Sequence, residues 1–489
     1  MELTELLNSV KAIQVVGQVQ RRDVSDIQYD SRKVKKNSLF VAIKGYKTDG
    51  HKFILDAINK GATAVVVEDD HAVPDEIITH SQIAKILVKN SRIGLAELSK
   101  GFYGDPSNKL KLIGITGTNG KTTTSFILKN VLQTAGFKTG LVGTIANYIG
   151  DNKIDSKLTT PESNDLNNFF LQMIDNKCQY AVMEVSSHSL SLNRVYGLSF
   201  ISAVFTNITS DHLDFHNSFE EYFTAKKILF DNLSTKSFSL INSDDKNSFR
   251  IVKDTQSKVV TYGISNNADY VISNIKYDLN GTNFSISQNG NLFNIHTDLI
   301  GTFNAYNATA TFATARSLGL DSEVIVDGIQ TAPQVPGRFE VIGKGNKKVI
   351  VDYSHTADSL EKALQAIREI VKDKIQVITV FGCGGDRDKT KRPIMGQIAS
   401  ELSDEVIITS DNPRTENPYS IIDDIKTGIV KKNFTIEENR EEAIHKALKM
   451  AQSKSVILIA GKGHENYQEI NGIRNHFSDQ EIARKYLTE

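Results

Sequence analysis

The chain has 489 residues, more than a single hydrophobic core usually supports, so about two to four domains are expected. The 57 Lys and Arg residues nearly balance the 58 Asp and Glu residues, and this balance gives no electrostatic reason to expect nucleic acid or a membrane as partner. The N-terminus lacks the basic flank and apolar run of a signal peptide, so we expect a cytosolic protein, and we expect it to be a monomer. Cys178 and Cys383 are too few for a disulfide framework.

The first hundred residues alternate short strand-like runs, such as SLFVAI and ATAVVVED, with helical patterns. They end at GFYGDPSNKL, whose Gly, Pro, Ser and Asn are typical of a linker. This pattern predicts a small first α/β domain over residues 1–105.

A different rhythm begins at Lys111, where near-continuous apolar runs such as LKLIGIT, YAVMEV and ISAVFTNI alternate with helices. Such strands indicate a mostly parallel sheet covered on both faces. Residues 258–300 instead alternate and carry Asn-Gly turns, which predicts an antiparallel excursion. The strand-helix rhythm resumes after QVPGRFEVIG. We therefore predict an α/β protein with a central P-loop-type domain over 106–336 and a Rossmann-like domain over 337–489.

Polar clusters follow these strands: GTNGKT after LIGIT, SSHS after AVMEV, YSHTAD after VIVD, DNPR after VIITS and GKGHE after VILIA. Open α/β sheets bind their ligands at the carboxyl ends of the strands, so the second and third domains are expected to share a cleft.

The segment GITGTNGKTTT departs from the usual phosphate-binding signature because Ile115 stands where a glycine is expected. Its backbone amides can still surround phosphate oxygens, Lys121 can neutralise them, and the Thr122 hydroxyl can bind Mg²⁺. The alternative is a tight turn that needs glycine for conformational reasons alone.

Further candidates lie in the other loops. Glu184 ends a strand and offers a hard oxygen ligand for Mg²⁺. The segment NITSDHLDFHNSFEEYFTAKK supplies His212 and Lys226, although Ser218 and Glu221 also suit a capping box that only starts a helix. The run CGGDRDKTKRP is most simply a solvated charge cluster, and DNPR is either a turn with an exposed arginine or a carboxylate-binding site.

Taken in order, the motifs GTNGKTTT, TTPES, EVSSHSL, TNITSDHLDFH, AKKILF, GTFNAYN, PGRFE, DYSHTAD, FGCGGDRDKTKRP, SDNPR and GKGHE resemble the Mur ligases from about residue 27 onwards. In that family the shortened phosphate loop is the normal form. The resemblance implies ATP-driven peptide bond formation in peptidoglycan precursor synthesis: a carboxylate attacks the γ-phosphate, and an amine displaces the resulting acyl phosphate. Ala357 replaces a proline that is common in the family, which should alter loop stiffness more than chemistry.

The resemblance also implies roles for individual residues. The catalytic residues would be Lys121, Glu184, His212 and Lys226. The contacts with ATP would come from Gly117, Thr118, Asn119, Gly120, Lys121, Thr122, Thr123, Asn304, Arg338, Asp352 and His355. The ligands of Mg²⁺ would be Thr122, Glu184, His212 and Lys226, the last as a carbamate formed with CO₂ (N6-carboxylysine). The UDP-N-acetylmuramoyl-dipeptide acceptor, bound in part by the first domain, would contact Ser31, Tyr46, Lys47, Thr48, Thr159, Thr160, Ser186 and Arg194.

The DNPR loop resembles that of the diaminopimelate-adding members of the family. An arginine there matches the far-end carboxylate of meso-diaminopimelate, a group that lysine lacks. The implied amino-acid pocket consists of Arg387, Asp411, Asn412, Pro413, Arg414, Gly461 and Glu465.

Three alternatives remain open at this point. The first is another amide ligase of the same architecture, either a lysine-adding relative or a folylpolyglutamate synthetase. The second is a P-loop switch that hydrolyses ATP without an acceptor. The third is a catalytically inactive binding protein, which the presence of all the implied catalytic residues disfavours.

Overall fold

The computed structural model describes residues 1–45, 48–209, 211, 213–343 and 347–487. It contains three large sheets, each flanked by helices, which agrees with the predicted α/β class. Within the described residues, no helix is both long and apolar enough to cross a membrane.

The first sheet has the order β1-β5-β4-β3-β2, with β1 antiparallel to β5 and the remaining pairs parallel. Its strands are β1 (Ala12–Gly17), β2 (Asp26–Gln28), β3 (Ser38–Val41), β4 (Ala64–Val67) and β5 (Ala84–Val88). Its helices are α1 (Leu3–Leu7), α2 (Ile54–Asn59), α3 (Asp75–His80) and α4 (Ser91–Phe102).

The second sheet is the largest and has parallel strands at its centre. Its strands are β6 (Lys111–Thr116), β7 (Thr139–Val142), β8 (Ala146–Ile149), β9 (Asn152–Asp155), β10 (Tyr180–Glu184), β11 (Phe200–Phe205), β12 (Phe238–Asn242), β13 (Lys258–Gly263), β14 (Tyr270–Asp278), β15 (Gly281–Gln288) and β16 (Asn291–Thr297). Its helices are α5 (Lys121–Thr134), α6 (Ser163–Asp175), α7 (Ser187–Ser191), α8 (Leu213–His216), α9 (Phe219–Asp231), α10 (Ser248–Ile251), α11 (Thr302–Ser317) and α12 (Ser322–Gln330).

The strand order of this sheet is β16-β15-β14-β13-β12-β11-β6-β10-β7-β8-β9. The antiparallel excursion predicted over 258–300 is confirmed for β14 to β16, while β13 pairs in parallel with β12 and β14. Successive residues of β10 face opposite cores, Val182 on one side and Met183 on the other, and both are fully buried. This explains why the central strands have no polar face in the sequence.

The third sheet has the order β17-β18-β22-β19-β20-β21, and a separate hairpin, β23-β24, lies beside it. The strands are β17 (Glu340–Ile342), β18 (Lys347–Asp352), β19 (Gln376–Phe381), β20 (Glu405–Ile408), β21 (Phe434–Ile436), β22 (Ser455–Ala460), β23 (Tyr467–Ile470) and β24 (Ile473–His476). The helices are α13 (Ala357–Val371), α14 (Lys391–Leu402), α15 (Pro418–Lys426), α16 (Arg440–Met450) and α17 (Asp479–Leu487).

The predicted domain boundaries, after residues 105 and 336, fall in the connections between these sheets and stay predictions. The first sheet is joined to the second through α6. Tyr29 Oη donates to Asp165 at 2.6 Å, and Asn164 Nδ2 donates to the Ile27 carbonyl at 2.9 Å.

Candidate active site

The phosphate loop lies between β6 and α5, where the sequence places it. Gly117 and Gly120 both have positive φ, and a Cβ at either position would lie within about 2.5 Å of a side-chain oxygen of a neighbouring segment. Ile115 is fully buried in β6. The residue that replaces the expected glycine is therefore part of the strand, and the loop itself begins at Gly117.

Two lysines lie at this loop. Lys121 Nζ donates to the carbonyls of Gly117 and Thr118 at 2.8 and 2.9 Å, and burial lowers its pKa. Lys226 Nζ, on α9, donates to the same Gly117 carbonyl at 3.0 Å and lies 4.5 Å from the centroid of the Tyr222 ring. Burial, followed by the charge of Lys121, lowers the pKa of Lys226 well below its usual value. The neutral amine is therefore favoured.

Glu184 is fully buried and accepts three hydrogen bonds. Its Oε2 accepts from the hydroxyls of Thr122 at 2.8 Å and Thr144 at 3.0 Å, while Oε1 accepts from the Thr144 amide at 2.9 Å. Two adjacent ligands of octahedral Mg²⁺, each at about 2.1 Å, lie about 3 Å apart, so the Thr122 and Glu184 oxygens fit one Mg²⁺ ion.

The rest of the predicted metal site is less complete. Within the part of the chain that the structure describes, no group of three or more His, Cys, Asp and Glu side chains is arranged to hold a metal ion. The predicted ligand His212 lies outside the described residues. A carbamate on Lys226 would add oxygen ligands of the kind that Mg²⁺ prefers.

A cavity of about 590 Å³ opens between the phosphate loop and the third sheet. Thirteen of the predicted residues line it: Thr118, Asn119, Gly120, Lys121, Thr122, Thr123, Thr159, Glu184, Ser186, Lys226, Arg338, Asp352 and His355. The predicted cleft between the second and third domains therefore exists at the strand ends where the sequence places it.

Two hydrogen bonds join side chains of the second and third domains at this cavity. In the first, Arg338 Nη2 donates to the Thr122 hydroxyl at 3.4 Å. The Arg338 guanidinium also lies 4.6 Å from the centroid of the Tyr353 ring, which belongs to its own domain. Asn119 Nδ2 in the phosphate loop donates to Asp358 at 3.2 Å. The sequence analysis missed Asp358, although it lies in the DYSHTAD motif.

Asp352 and His355 precede α13, and Thr356 caps that helix. Burial raises the pKa of Asp352, which accepts from the Phe339 amide at 2.6 Å. Burial, with the nearby charge of Lys391 second, lowers the pKa of His355, so the imidazole is favoured in its neutral form. Thr356 caps α13 in a capping box. Ala357 is the first residue of that helix, a position where proline is well tolerated, so the replacement leaves the helix start intact.

Asn304 does not line the cavity. Its Nδ2 donates to the Ile300 carbonyl at 2.9 Å, and its Oδ1 accepts from Asn307 Nδ2 at 3.0 Å. Asn307 does line the cavity, and its Oδ1 accepts from Thr124 at 3.3 Å. Asn307, one helical turn after Asn304, is thus the residue of α11 that approaches the phosphate loop, and the contact of Asn304 with ATP stays a prediction.

The predicted acceptor residues of the second domain gather beside Glu184. Thr160 donates through its hydroxyl to the Glu184 carbonyl at 2.8 Å and accepts from the Ser186 amide at 3.1 Å. Thr159 is 3.1 Å from Thr144, between their hydroxyl oxygens. Arg194 donates to the Thr160 carbonyl at 3.0 Å. These side chains form one polar wall next to the candidate metal ligands.

The first-domain part of the acceptor site is described only in part, because Tyr46 and Lys47 lie outside the described residues. Ser31 is buried and its carbonyl accepts from Lys60 Nζ at 3.0 Å, while Thr48 is exposed. A link not anticipated from the sequence is Glu162, which pairs with Arg194 at 2.8 Å and with Arg92 of the first domain at 3.5 Å.

The predicted amino-acid pocket is assembled at the ends of β20 and β22. Asn412 Nδ2 donates to Glu465 Oε2 at 2.8 Å. Gly461 has a φ of +117°, and a Cβ at this position would lie 2.5 Å from Asp411 Oδ2. Arg414 Nη1 donates to the Gly385 carbonyl at 2.6 Å. Pro413 is buried in the same loop, and Arg387 is exposed at its rim.

The hairpin β23-β24 holds this loop in place. Neither the hairpin nor its contact with the loop was predicted from the sequence. The Arg414 amide donates to the Glu469 carbonyl at 3.0 Å, and the Asn471 amide donates to the Arg414 carbonyl at 2.8 Å. Gln468 Nε2 donates to the Asp411 carbonyl at 2.8 Å. The Asn-Gly pair at 471–472 was the available signal, since it marks a two-residue hairpin turn.

The interpretation of CGGDRDKTKRP as a solvated charge run is wrong for Arg392. This side chain is fully buried and pairs with Glu416 at 2.9 Å and Asp424 at 2.8 Å. Hydrogen bonding with Arg392 lowers the pKa of Glu416 to about 2.

The capping box predicted at the start of α9 is present only in part. Ser218 caps α9 by accepting from the Glu221 amide, but the Glu221 side chain accepts from Asn217 Nδ2 instead of from the Ser218 amide.

Comparisons with known proteins agree with this geometry. Family models match three successive segments: "Mur ligase family, catalytic domain" over residues 23–103, "Mur ligase middle domain" over 115–315 and "Mur ligase, glutamate ligase domain" over 337–463. The chain belongs to the Mur ligase family. Its three-sheet architecture is thus that of the Mur ligases, as the motifs predicted.

Two similar relatives of this Mur ligase carry the same description. UDP-N-acetylmuramoyl-L-alanyl-D-glutamate--2,6-diaminopimelate ligase 1 of Clostridium acetobutylicum is 46% identical, with 100% of both chains covered. The corresponding ligase of Bacteroides thetaiotaomicron is 43% identical over 99% of each chain. A solved structure of a UDP-N-acetylmuramoyl-L-alanyl-D-glutamate--2,6-diaminopimelate ligase is 33% identical, with a TM-score of 0.71 and coverage of 100% of this chain and 99% of that one.

A structure of MurF from Acinetobacter baumannii is 19% identical with a TM-score of 0.69, and it covers 100% of this chain and 98% of that one. At this identity the likeness concerns the fold alone.

Proposed function

We propose that this Mur ligase uses ATP to join meso-2,6-diaminopimelate to the glutamate of UDP-N-acetylmuramoyl-L-alanyl-D-glutamate, a cytoplasmic step in making peptidoglycan precursors. The observation that carries the proposal is the pocket in which Asn412 donates to the Glu465 carboxylate at 2.8 Å, while Arg414, two residues later in the same loop, donates to the Gly385 carbonyl at 2.6 Å. An amino acid with both an ammonium and a carboxylate at its far end would find a partner for each group.

The phosphate loop supports the first chemical step. Its backbone amides and Lys121 would hold the phosphates, and the carboxylate of the acceptor would attack the γ-phosphorus and release ADP. Two anions meet in this step, so the cations Lys121 and Arg338 would stabilise the charge that gathers in the transition state. Mg²⁺, when bound to the Thr122 and Glu184 oxygens, would supply additional positive charge at the phosphates.

Lys226 would serve this site as a carbamate. An amine reacts with CO₂ only in its neutral form, and burial beside Lys121 favours that form. The modification would replace a buried amine by a carboxylate-like group directly next to the phosphate loop, where an anion would offset the charge of Lys121 and bind metal.

The second step would join the amine of diaminopimelate to the acyl phosphate. The amine attacks the acyl carbon, phosphate leaves, and the amine loses a proton. Asp411, Asn412 and Glu465 would orient the amino acid, with Arg414 and Arg387 facing its far-end carboxylate. Thr159, Thr160, Ser186 and Arg194 would hold the dipeptide end of the acceptor, and Ser31, Tyr46, Lys47 and Thr48 its nucleotide end.

The test supplies ATP, Mg²⁺ and the UDP-linked dipeptide and compares meso-diaminopimelate with L-lysine, following phosphate release and product mass. We expect a tripeptide product with diaminopimelate and at least a hundredfold lower kcat/KM with lysine. A product with lysine alone would overturn the specificity. Phosphate release that needs no acceptor would overturn the ligase activity itself.

A further inference from the structure

A fully buried lysine, Lys462, lies beneath the proposed amino-acid pocket. It follows Gly461 at the end of β22, and its side chain has no exposed surface. Its Nζ donates to Asn412 Oδ1 at 3.0 Å and to Glu465 Oε2 at 3.3 Å, and it lies 5.3 Å from the centroid of the Tyr467 ring. Buried lysines are rare in proteins because the charged form loses hydration, and none of the steps above uses this one.

The contacts of Lys462 fix the orientation of the Asn412 amide. Asn412 Oδ1 accepts from Lys462 Nζ and from the Glu469 amide at 3.0 Å. A flipped amide would place its NH₂ group against these two donors, so only the observed orientation satisfies all three groups. Asn412 Nδ2 is thereby turned towards Glu465.

The same contacts turn the Glu465 carboxylate. Both of its hydrogen bonds within the described residues reach Oε2, one from Asn412 Nδ2 and one from Lys462 Nζ. The second oxygen, Oε1, receives none from the described part of the chain. It is therefore the carboxylate oxygen available to a bound ammonium group.

We propose that Lys462 is a positioning residue for the amino-acid substrate: it holds the Asn412 amide and turns Glu465 so that Oε1 receives an ammonium group of the diamino acid. This inference rests on the proposed function. It assigns to Lys462 a contact with the pocket residues Asn412 and Glu465, and no contact with the substrate itself.

The positive charge of Lys462 also supports its role in positioning Glu465. Burial raises the pKa of Glu465, and the charge of Lys462 opposes that rise. The titratable groups that face Glu465 are Asp411 after β20, Lys462 after β22, Tyr353 after β18, Tyr467 on β23 and Arg440 on α16. Arg440 is already held by Asp479 through two hydrogen bonds of 2.8 Å. Among the described residues, Lys462 is thus the cation that directly contacts the Glu465 carboxylate.

Loss of Lys462 should shift the pKa of Glu465 in a predictable direction. Without it, the raised pKa of Glu465 rises further, and a larger fraction of the carboxyl is protonated as the pH falls. A protonated carboxyl binds an ammonium group weakly. The KM for diaminopimelate should therefore begin to increase at a higher pH in a variant than in the wild type.

The experiment uses the full chain with Lys462→Met, which retains the apolar stem, and Lys462→Gln, which retains a hydrogen-bond donor but no charge. The matched control is Lys85→Met, since Lys85 is also buried and pairs with Asp70 and Asp75, but in the first sheet. Steady-state KM values for diaminopimelate and ATP are measured from pH 6 to 9, together with the melting temperature.

We expect both Lys462 variants to raise the KM for diaminopimelate by about tenfold to a hundredfold, most at low pH, while the KM for ATP changes by less than about twofold. The Lys85 variant should retain wild-type KM values. If Lys462→Met does not fold, Lys462→Gln decides the question by the same pH profile. A wild-type KM for diaminopimelate at every pH in the soluble variants would refute the inference alone, whereas a wild-type chain that forms no product with diaminopimelate would refute the proposed function and this inference with it.

Discussion

Replacing Arg414 by alanine tests the basis of amino-acid selection. Arg414 has a φ of +51°, and alanine also carries a Cβ, so the substitution leaves the backbone strain unchanged and removes the guanidinium. Among the described residues, the Gly385 carbonyl accepts from one of the five guanidinium donors, which leaves a fork for a carboxylate. Two charge-assisted hydrogen bonds at a half-buried site are worth about 3 kcal/mol together, or about 150-fold in kcat/KM.

The assay compares kcat/KM for diaminopimelate and for ATP in the wild type and in Arg414→Ala. We expect a drop of about 150-fold for diaminopimelate, an unchanged KM for ATP and a narrower preference over lysine. The control is Arg250→Ala, because Arg250 is an exposed arginine on α10 of the second domain that pairs with Glu220 at 2.7 Å. A loss below about threefold in Arg414→Ala, or an equal loss in the control, would contradict the role of the guanidinium.

Two further predictions concern buried ionisable side chains. Because burial favours the neutral amine of Lys226, protein stripped of CO₂ should lose most of its ligase activity and recover it with bicarbonate, as followed by phosphate release; activity that is indifferent to CO₂ would refute the carbamate. Arg440 and Asp479 form a fully buried pair in the third domain, so Arg440→Met alone should lower stability by about 3 to 5 kcal/mol and the melting temperature by about 10 °C. The double variant with Asp479→Leu should recover most of that loss, and a single variant that melts within about 2 °C of the wild type would contradict the account.

The fold was predictable to the extent that the sequence carries local patterns. Strands β6 and β10 have near-continuous apolar sequences because both of their faces are buried, and the loops that follow them carry the candidate site residues. The meander β7 to β9 was not anticipated because its strands are only four residues long and show no clear alternation.

The parts of the site that sequence reasoning missed depend on contacts between distant segments. Asn307 and Thr124, at the phosphate loop, are 183 positions apart, and Lys462 meets Asn412 across 50 positions. The burial of Arg392 follows from carboxylates on α15 and the loop before it. A charge run reveals neither its partners nor its exposure, so these roles appear only when the chain is folded.

The central claim is that the acceptor carboxylate is activated by the γ-phosphate before an amine displaces phosphate. The direct measurement supplies an acceptor whose glutamate side-chain carboxylate carries ¹⁸O, together with ATP, Mg²⁺ and meso-diaminopimelate, and determines the isotopic mass of the released phosphate. The account predicts one ¹⁸O atom transferred to phosphate for each tripeptide formed. Phosphate without label would mean that its new oxygen came from water, and it would contradict the activation of the acceptor carboxylate by the γ-phosphate.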